Sequence, residues 1–106
     1  MVRMQIVERD GARLFETLKD AMRSGDLRTF ELKKHGRKIT HKSADYHGWI
    51  NWDSQMGVIT CEILSPKMGD EWKLLSSFVG RLANRFSGLV QSVNIQFEEP
   101  AKARRR

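Results

Sequence analysis

Between residues 27 and 64 apolar and polar side chains alternate in four short runs, and a period of two is the pattern of a half-buried β-strand. The runs predict strands at about 27–34, 37–42, 45–52 and 57–64. One parity of each run is apolar: Phe30 and Leu32, Ile39, Tyr46, Ile50 and Trp52, and Ile59, Cys61 and Ile63. This pattern predicts an antiparallel sheet that packs one face on the core and leaves the other open.

Two turns are predicted within this region. The first hairpin turns near His35-Gly36, and the second turns over the five residues from Asp53 to Gly57. Cys61 falls on the inward parity, so we expect a small buried side chain and not a nucleophile.

Two amphipathic helices flank these strands. Residues 11–24 have an apolar stripe at helical spacing, with Asp10 as the expected N-cap and Gly25 as the expected C-terminal residue. Residues 70–87 form the clearer helix, which ends before Gly88. Its stripe is Trp72, Leu75, Val79, Leu82 and Phe86, all predicted to face the core together with Val93 and Ile95 of a last strand.

The last strand is predicted at residues 89–98, and residues 2–8 are either a first strand or a lead into the first helix. The element order is then (β)αββββαβ. Two helices with one apolar stripe each can cover a sheet with one apolar face, so we expect an α+β fold, a two-layer sandwich with both helices on the same face of a mainly antiparallel sheet.

The 106 residues suit one domain, which we place at residues 1–99, followed by a disordered basic tail at 100–106. That tail contains Lys102, Arg104, Arg105 and Arg106, which account for four of the six net positive charges. No run of apolar residues reaches the ~20 that a membrane span needs, and no signal peptide is recognisable. A single cysteine rules out an internal disulfide, and we expect a cytoplasmic protein with no membrane partner.

The segment 28–42 is the most basic of the predicted domain, with six Lys or Arg against one acid, Glu31. A cationic hairpin favours polyanions such as nucleic acid. The open face would add Trp49, which could stack on a base, and His47. We therefore expect a small non-enzymatic protein that binds single-stranded nucleic acid, with the candidate residues Lys33, Lys34, Arg37, Lys38, Lys42, His47 and Trp49.

Self-association or binding of a protein partner is the alternative. The open sheet face or an exposed strand edge would then pair with a copy or a partner, and Trp49 would anchor the contact.

No cofactor, metal or catalytic site is predicted. His35, His41 and His47 are evenly spaced, but two of them have opposite parity and too few ligands converge for a metal site. A small hydrolase is a third class, and it would require a deep pocket that unites His47 with Asp45 or Glu62.

Overall fold

The computed structural model describes residues 1–67 and 69–97. Its elements follow the predicted order, and the α+β class is confirmed. The elements are β1 (Val2–Glu8), α1 (Leu14–Ser24), β2 (Phe30–Lys33), β3 (Lys38–His41), β4 (Trp49–Gln55), β5 (Val58–Leu64), α2 (Asp70–Arg85), a 3₁₀ turn (Ser87–Leu89) and β6 (Val90–Phe97). The predicted tail at 100–106 lies outside the described residues.

The six strands form one sheet in the order β2-β3-β4-β5-β1-β6, and every neighbouring pair is antiparallel. The residues 2–8 are therefore a strand, and that strand lies between β5 and β6. The four strands from β2 to β5 are sequential neighbours. β2 and β6 are the two edges of the sheet.

Both helices cover the apolar face of the sheet. Ile39, Ile50 and Ile59 are fully buried on the parity predicted from the alternation, and Ile6 of β1 is fully buried as well. They pack with residues of α1 and α2, and Phe30 meets Phe78 of α2 with 5.4 Å between ring centroids. Cys61 is fully buried as well, and burial raises the pKa of its thiol to about 12.

Helix α1 begins three residues later than predicted and without the expected Asp10 cap. The side chain of Glu8, at the end of β1, accepts hydrogen bonds from the backbone N–H groups of Leu14 (3.0 Å) and Arg13 (3.3 Å). A carboxylate that reaches over from a neighbouring strand satisfies the free amides of the first turn as an N-cap side chain would.

The second hairpin is tighter than predicted. Gln55 pairs with Val58, so the turn is the two residues Met56 and Gly57, with φ angles of 53° and 81°. Two consecutive positive φ angles define a type I′ turn, whose twist matches that of the flanking strands. The strand β4 therefore continues through Asp53, which was predicted to lie in the turn.

The predicted core is wrong at one edge of the sheet. Trp72 is 46% exposed and Val93 is 36% exposed, although both were assigned to the core. β6 is an edge strand, and α2 does not cover it fully, so this flank of the helix stripe contacts solvent. Neither helix among the described residues has the length and apolar character of a membrane span.

Candidate nucleic-acid interface

The turn between β2 and β3 has an unusual backbone. Lys33 pairs with Lys38, and the four residues between them form the loop. Within it Lys34 (φ 54°), His35 (φ 57°) and Gly36 (φ 86°) are all left-handed. Lys34 and His35 have this conformation at a steric cost that glycine does not have, so other contacts must hold the loop in place.

Trp52 provides those contacts from the core. Its indole Nε1 donates a 2.7 Å hydrogen bond to the carbonyl oxygen of Gly36, and its backbone N–H donates to the carbonyl oxygen of Arg37 at 3.1 Å. Trp52 is 4% exposed, so the indole hydrogen bond is shielded from water. The cationic turn is thereby fixed to the interior and is not a loose loop.

Helix α1 contributes two cations beside the same turn. A Cβ atom placed on Gly36 would lie 3.2 Å from Nη2 of Arg23 and 3.6 Å from Cδ of Lys19. Lys19 and Arg23 are one helical turn apart, and they were not among the predicted site residues. Their spacing of four residues was the available signal, but only the tertiary packing brings them to the hairpin.

Lys38 and Trp49 form a pair on the open face of the sheet. The Nζ atom of Lys38 lies 4.7 Å from the centre of the Trp49 ring. Lys38 is opposite Asn51 in the register, so Trp49 is its diagonal neighbour on the same face. Both side chains are half-buried, and the pair offers an aromatic surface next to a positive charge.

The rest of the open face is not cationic. The Nζ atom of Lys33 lies 3.6 Å from Oε1 of Glu31, and this carboxylate offsets the charge of Lys33. The strand parities place three basic and three acidic side chains on this face: Arg3, Lys33 and Lys38 against Glu31, Asp53 and Glu62. A polyanion would therefore contact the hairpin end of the face and not its whole area.

Two of the predicted residues lie away from this group. Lys42 is at the opposite end of the hairpin, where its backbone N–H donates to the carbonyl oxygen of Thr29 at 2.9 Å. His47 is in the loop before β4, with Nδ1 2.8 Å from Oδ2 of Asp70 at the start of α2. The expected position of His47 on the open face is wrong, because Gly48, with φ 112°, interrupts the strand pattern before Trp49.

The three histidines occupy separate environments. His35 is in the turn, His47 pairs with Asp70, and His41 stacks on Tyr46 with 3.7 Å between ring centroids. Within residues 1–67 and 69–97, no group of three or more His, Cys, Asp or Glu side chains could hold a metal ion. Partial burial and, to a smaller extent, the charge of Arg81 lower the pKa of His41.

The charge of the chain is concentrated around the β2–β3 hairpin. Residues 19–42 contain eight Lys or Arg and three Asp or Glu. The other described residues contain seven Lys or Arg and eight Asp or Glu. The β2 side of the sheet is therefore cationic, and the remainder of the described chain is close to neutral.

The comparisons with known proteins found no counterpart: no family model matches the chain, and no curated protein or solved structure matches it.

Proposed function

We propose that the protein binds single-stranded nucleic acid at the hairpin end of the sheet. The observation that carries the proposal is the group of cations around one fixed turn. Lys34 and Arg37 belong to the turn, Lys19 and Arg23 flank it from α1, and Lys38 follows it on β3. None of the five has a carboxylate partner within 4.0 Å among the described residues, so their charges are available to phosphates.

Trp49 would add a base contact to the phosphate contacts. Stacking of a base on an aromatic ring contributes about 1–3 kcal/mol and depends little on the base. A base that stacks on Trp49 would displace the Lys38 ammonium group from the ring face, and the displaced group could contact the phosphate of that nucleotide. The balanced charge of the rest of the open face favours a short binding site, and an unpaired strand can bring a base to the indole more readily than a duplex can.

Salt-dependent binding of a fluorescent single-stranded oligonucleotide, followed by anisotropy, tests the proposal. Phosphate contacts by all five cations predict that the logarithm of the association constant falls with the logarithm of salt concentration with a slope of about −3.5. We expect Lys38→Glu to weaken binding at least about tenfold, and Trp49→Ala to weaken it about tenfold with little change in the slope.

Arg9→Glu is the matched control, because it makes the same change of charge at an exposed residue that follows β1, three strands from β3. Equal losses in Lys38→Glu and Arg9→Glu would show that only net charge matters. Absence of binding at low salt would refute the proposal.

Self-association through β6 is the second candidate, and the character of that edge favours it. β6 has eight residues and no charged side chain, whereas the other edge, β2, has four residues that include Glu31 and Lys33. Long uncharged edges readily pair with another strand, and proteins usually block them with charges or short strands. Phe97 (59% exposed) and Trp72 (46% exposed) stand beside the edge with 4.5 Å between ring centroids.

A second copy of the chain fits this edge by symmetry. If two β6 strands pair antiparallel about a two-fold axis at Asn94, Val93 of each copy lies opposite Ile95 of the other, and apolar residues meet apolar residues. The groove between α2 and β6, lined in part by Val79, Leu82 and Val93, would extend the contact.

Light scattering after size-exclusion chromatography tests this candidate. We expect a dimer in the native chain and a monomer in Ile95→Lys, because a charge on the apolar side of β6 opposes edge pairing. Thr60→Lys places the same charge on the open face of β5 and should leave the dimer intact. A native chain that remains monomeric at about 100 μM would eliminate the candidate.

A further inference from the structure

A second cationic feature lies on the helix side of the molecule, at the corner where α1 and α2 end and β2 begins. Here Arg28, Arg81 and Arg85 line a cleft of about 420 Å³ together with the other residues of the segment 25–29. Arg81 and Arg85 are one helical turn apart on α2, a spacing that by itself indicates only a solvated helix face. The cleft is on the helix layer and not on the open face, so it is separate from the Lys38–Trp49 pair.

The wall of the cleft is well ordered by backbone contacts. Gly25 ends α1 in a left-handed conformation, with φ 89°, and turns the chain back on the helix. The N–H of Leu27 then donates to the carbonyl oxygen of Ala21 at 2.9 Å, and the Leu27 side chain is 2% exposed. This buried anchor fixes the position of Arg28, the next residue, at the mouth of the cleft.

The guanidinium group of Arg85 is held in place, and none of the three arginines is neutralised. Nη1 of Arg85 donates a 2.5 Å hydrogen bond to the backbone carbonyl of Asp26, which orients the group without cancelling its charge. Across residues 1–67 and 69–97, no carboxylate lies within 4.0 Å of Arg28, Arg81 or Arg85. Asp26 is the one acidic residue in the cleft lining. The lowered pKa of His41, to which Arg81 contributes, is consistent with a positive potential on this side.

We propose that this arginine cleft binds the dianionic phosphate group of a phosphomonoester. Guanidinium is planar and presents paired N–H donors that match two phosphate oxygens, and three such groups repel one another until an anion lies between them. The cleft is larger than a phosphate ion, so there is room for part of the organic group that carries it. The group can belong to a small phosphorylated metabolite or to the 5′ end of a nucleic acid strand.

Titration followed by NMR tests the proposal on the full chain, with inorganic phosphate and ribose 5-phosphate as probes and chloride at the same ionic strength as the reference. We expect saturable shifts of the amides of residues 25–29 and of the Nε–H signals of Arg28 and Arg81. Affinity should fall as pH is lowered from 7.5 to 5.5, because the second pKa of a phosphomonoester is about 6.

Substitutions in the cleft lining should change the affinity for phosphate in opposite directions, depending on the charge that is removed. We expect Arg28→Gln and Arg81→Gln to weaken phosphate binding at least about tenfold, and Asp26→Asn to strengthen it about threefold by removing the one negative charge of the lining. Arg9→Gln, the matched control, should change the affinity less than about twofold, because Arg9 does not line the cleft. The amide spectrum of each variant shows whether it is folded.

A 5′-phosphorylated oligonucleotide compared with its 5′-hydroxyl form separates the two sources of the phosphate. A preference for the phosphorylated form that Arg81→Gln abolishes supports the cleft as a site for strand ends, and tight binding of ribose 5-phosphate supports it as a metabolite site. Shifts that do not saturate, or losses that are equal in Arg81→Gln and Arg9→Gln, would overturn the proposal. Lys38 does not line the cleft, so Lys38→Glu should leave phosphate binding unchanged, and failure of the hairpin proposal would leave this one standing.

Discussion

The hydrogen bond from Trp52 to the hairpin turn predicts a specific loss of stability in Trp52→Phe. The substitution keeps an aromatic ring in the core but removes the indole N–H that donates to the Gly36 carbonyl at 2.7 Å. Gly36 is buried, so its carbonyl oxygen would lose a partner that water cannot readily replace. A buried acceptor left without a donor costs about 1–3 kcal/mol.

Packing adds a second contribution to this loss. Phenylalanine is smaller than tryptophan by roughly 40 Å² of apolar surface, which corresponds to about 1 kcal/mol at 25 cal/mol/Å². Trp52 also lies 4.7 Å from the Phe15 ring and 6.2 Å from the Phe78 ring, between centroids, so the missing atoms leave a gap in a packed cluster. We therefore expect the free energy of unfolding to decrease by about 2–4 kcal/mol.

Urea denaturation followed by circular dichroism measures this change. Trp72→Phe is the matched control, because the same substitution at a residue that is 46% exposed should cost less than about 1 kcal/mol. If Trp52→Phe costs under about half a kcal/mol in the same assay, the indole does not hold the turn, and the cationic hairpin is not fixed to the core by this hydrogen bond.

Three further predictions concern local features. Met56→Asn should raise the free energy of unfolding by about 0.5–1 kcal/mol in urea melts, since asparagine tolerates the φ of 53° at this type I′ position better than methionine does. The thiol of Cys61, with a pKa raised to about 12 by burial, should resist a thiol reagent at pH 8 until urea unfolds the chain, and rapid labelling of the folded protein would contradict its burial. For His41, whose pKa is lowered from 6.5, the folded state binds a proton more weakly than the unfolded state, so stability should decrease as pH falls through 6.5. Partial burial of the ring and, to a smaller extent, the charge of Arg81 cause this lowered pKa, and His41→Gln should reduce the pH dependence.

The spacing of apolar side chains, two residues in the strands and about 3.6 in the helices, predicted the fold class and the order of elements, except that residues 2–8 were left open as a strand or a lead into the first helix. Ile39, Ile50 and Ile59 are fully buried on the predicted parity, because register in a one-sided sheet follows directly from a period of two. The order of strands did not follow from the pattern. Nothing local to β1 indicates that it pairs with β5 and β6, which are more than fifty residues away in the chain.

The exposure of Trp72 also depends on the order of the strands, so it was not predictable from the helix stripe alone. The spacing of Trp72, Leu75 and Val79 indicates one apolar face, but only the position of β6 at the sheet edge decides how much of that face is covered. The candidate site was predicted in part. Lys34, Arg37 and Lys38 came from the local basic pattern and Trp49 from the predicted strand parity, whereas Lys19, Arg23 and the His47–Asp70 pair depend on contacts between distant segments.

The two edges of the sheet differ in charge: the β2–β3 hairpin side is cationic and the β6 edge is uncharged, and we propose that nucleic acid binds only at the hairpin side. Amide chemical shifts during titration of the full chain with a single-stranded oligonucleotide test this directly. We predict saturable shifts at residues 34–38 and at Trp49, with residues 90–97 unchanged. Shifts centred on residues 90–97, or none at the hairpin at low salt, would contradict the claim.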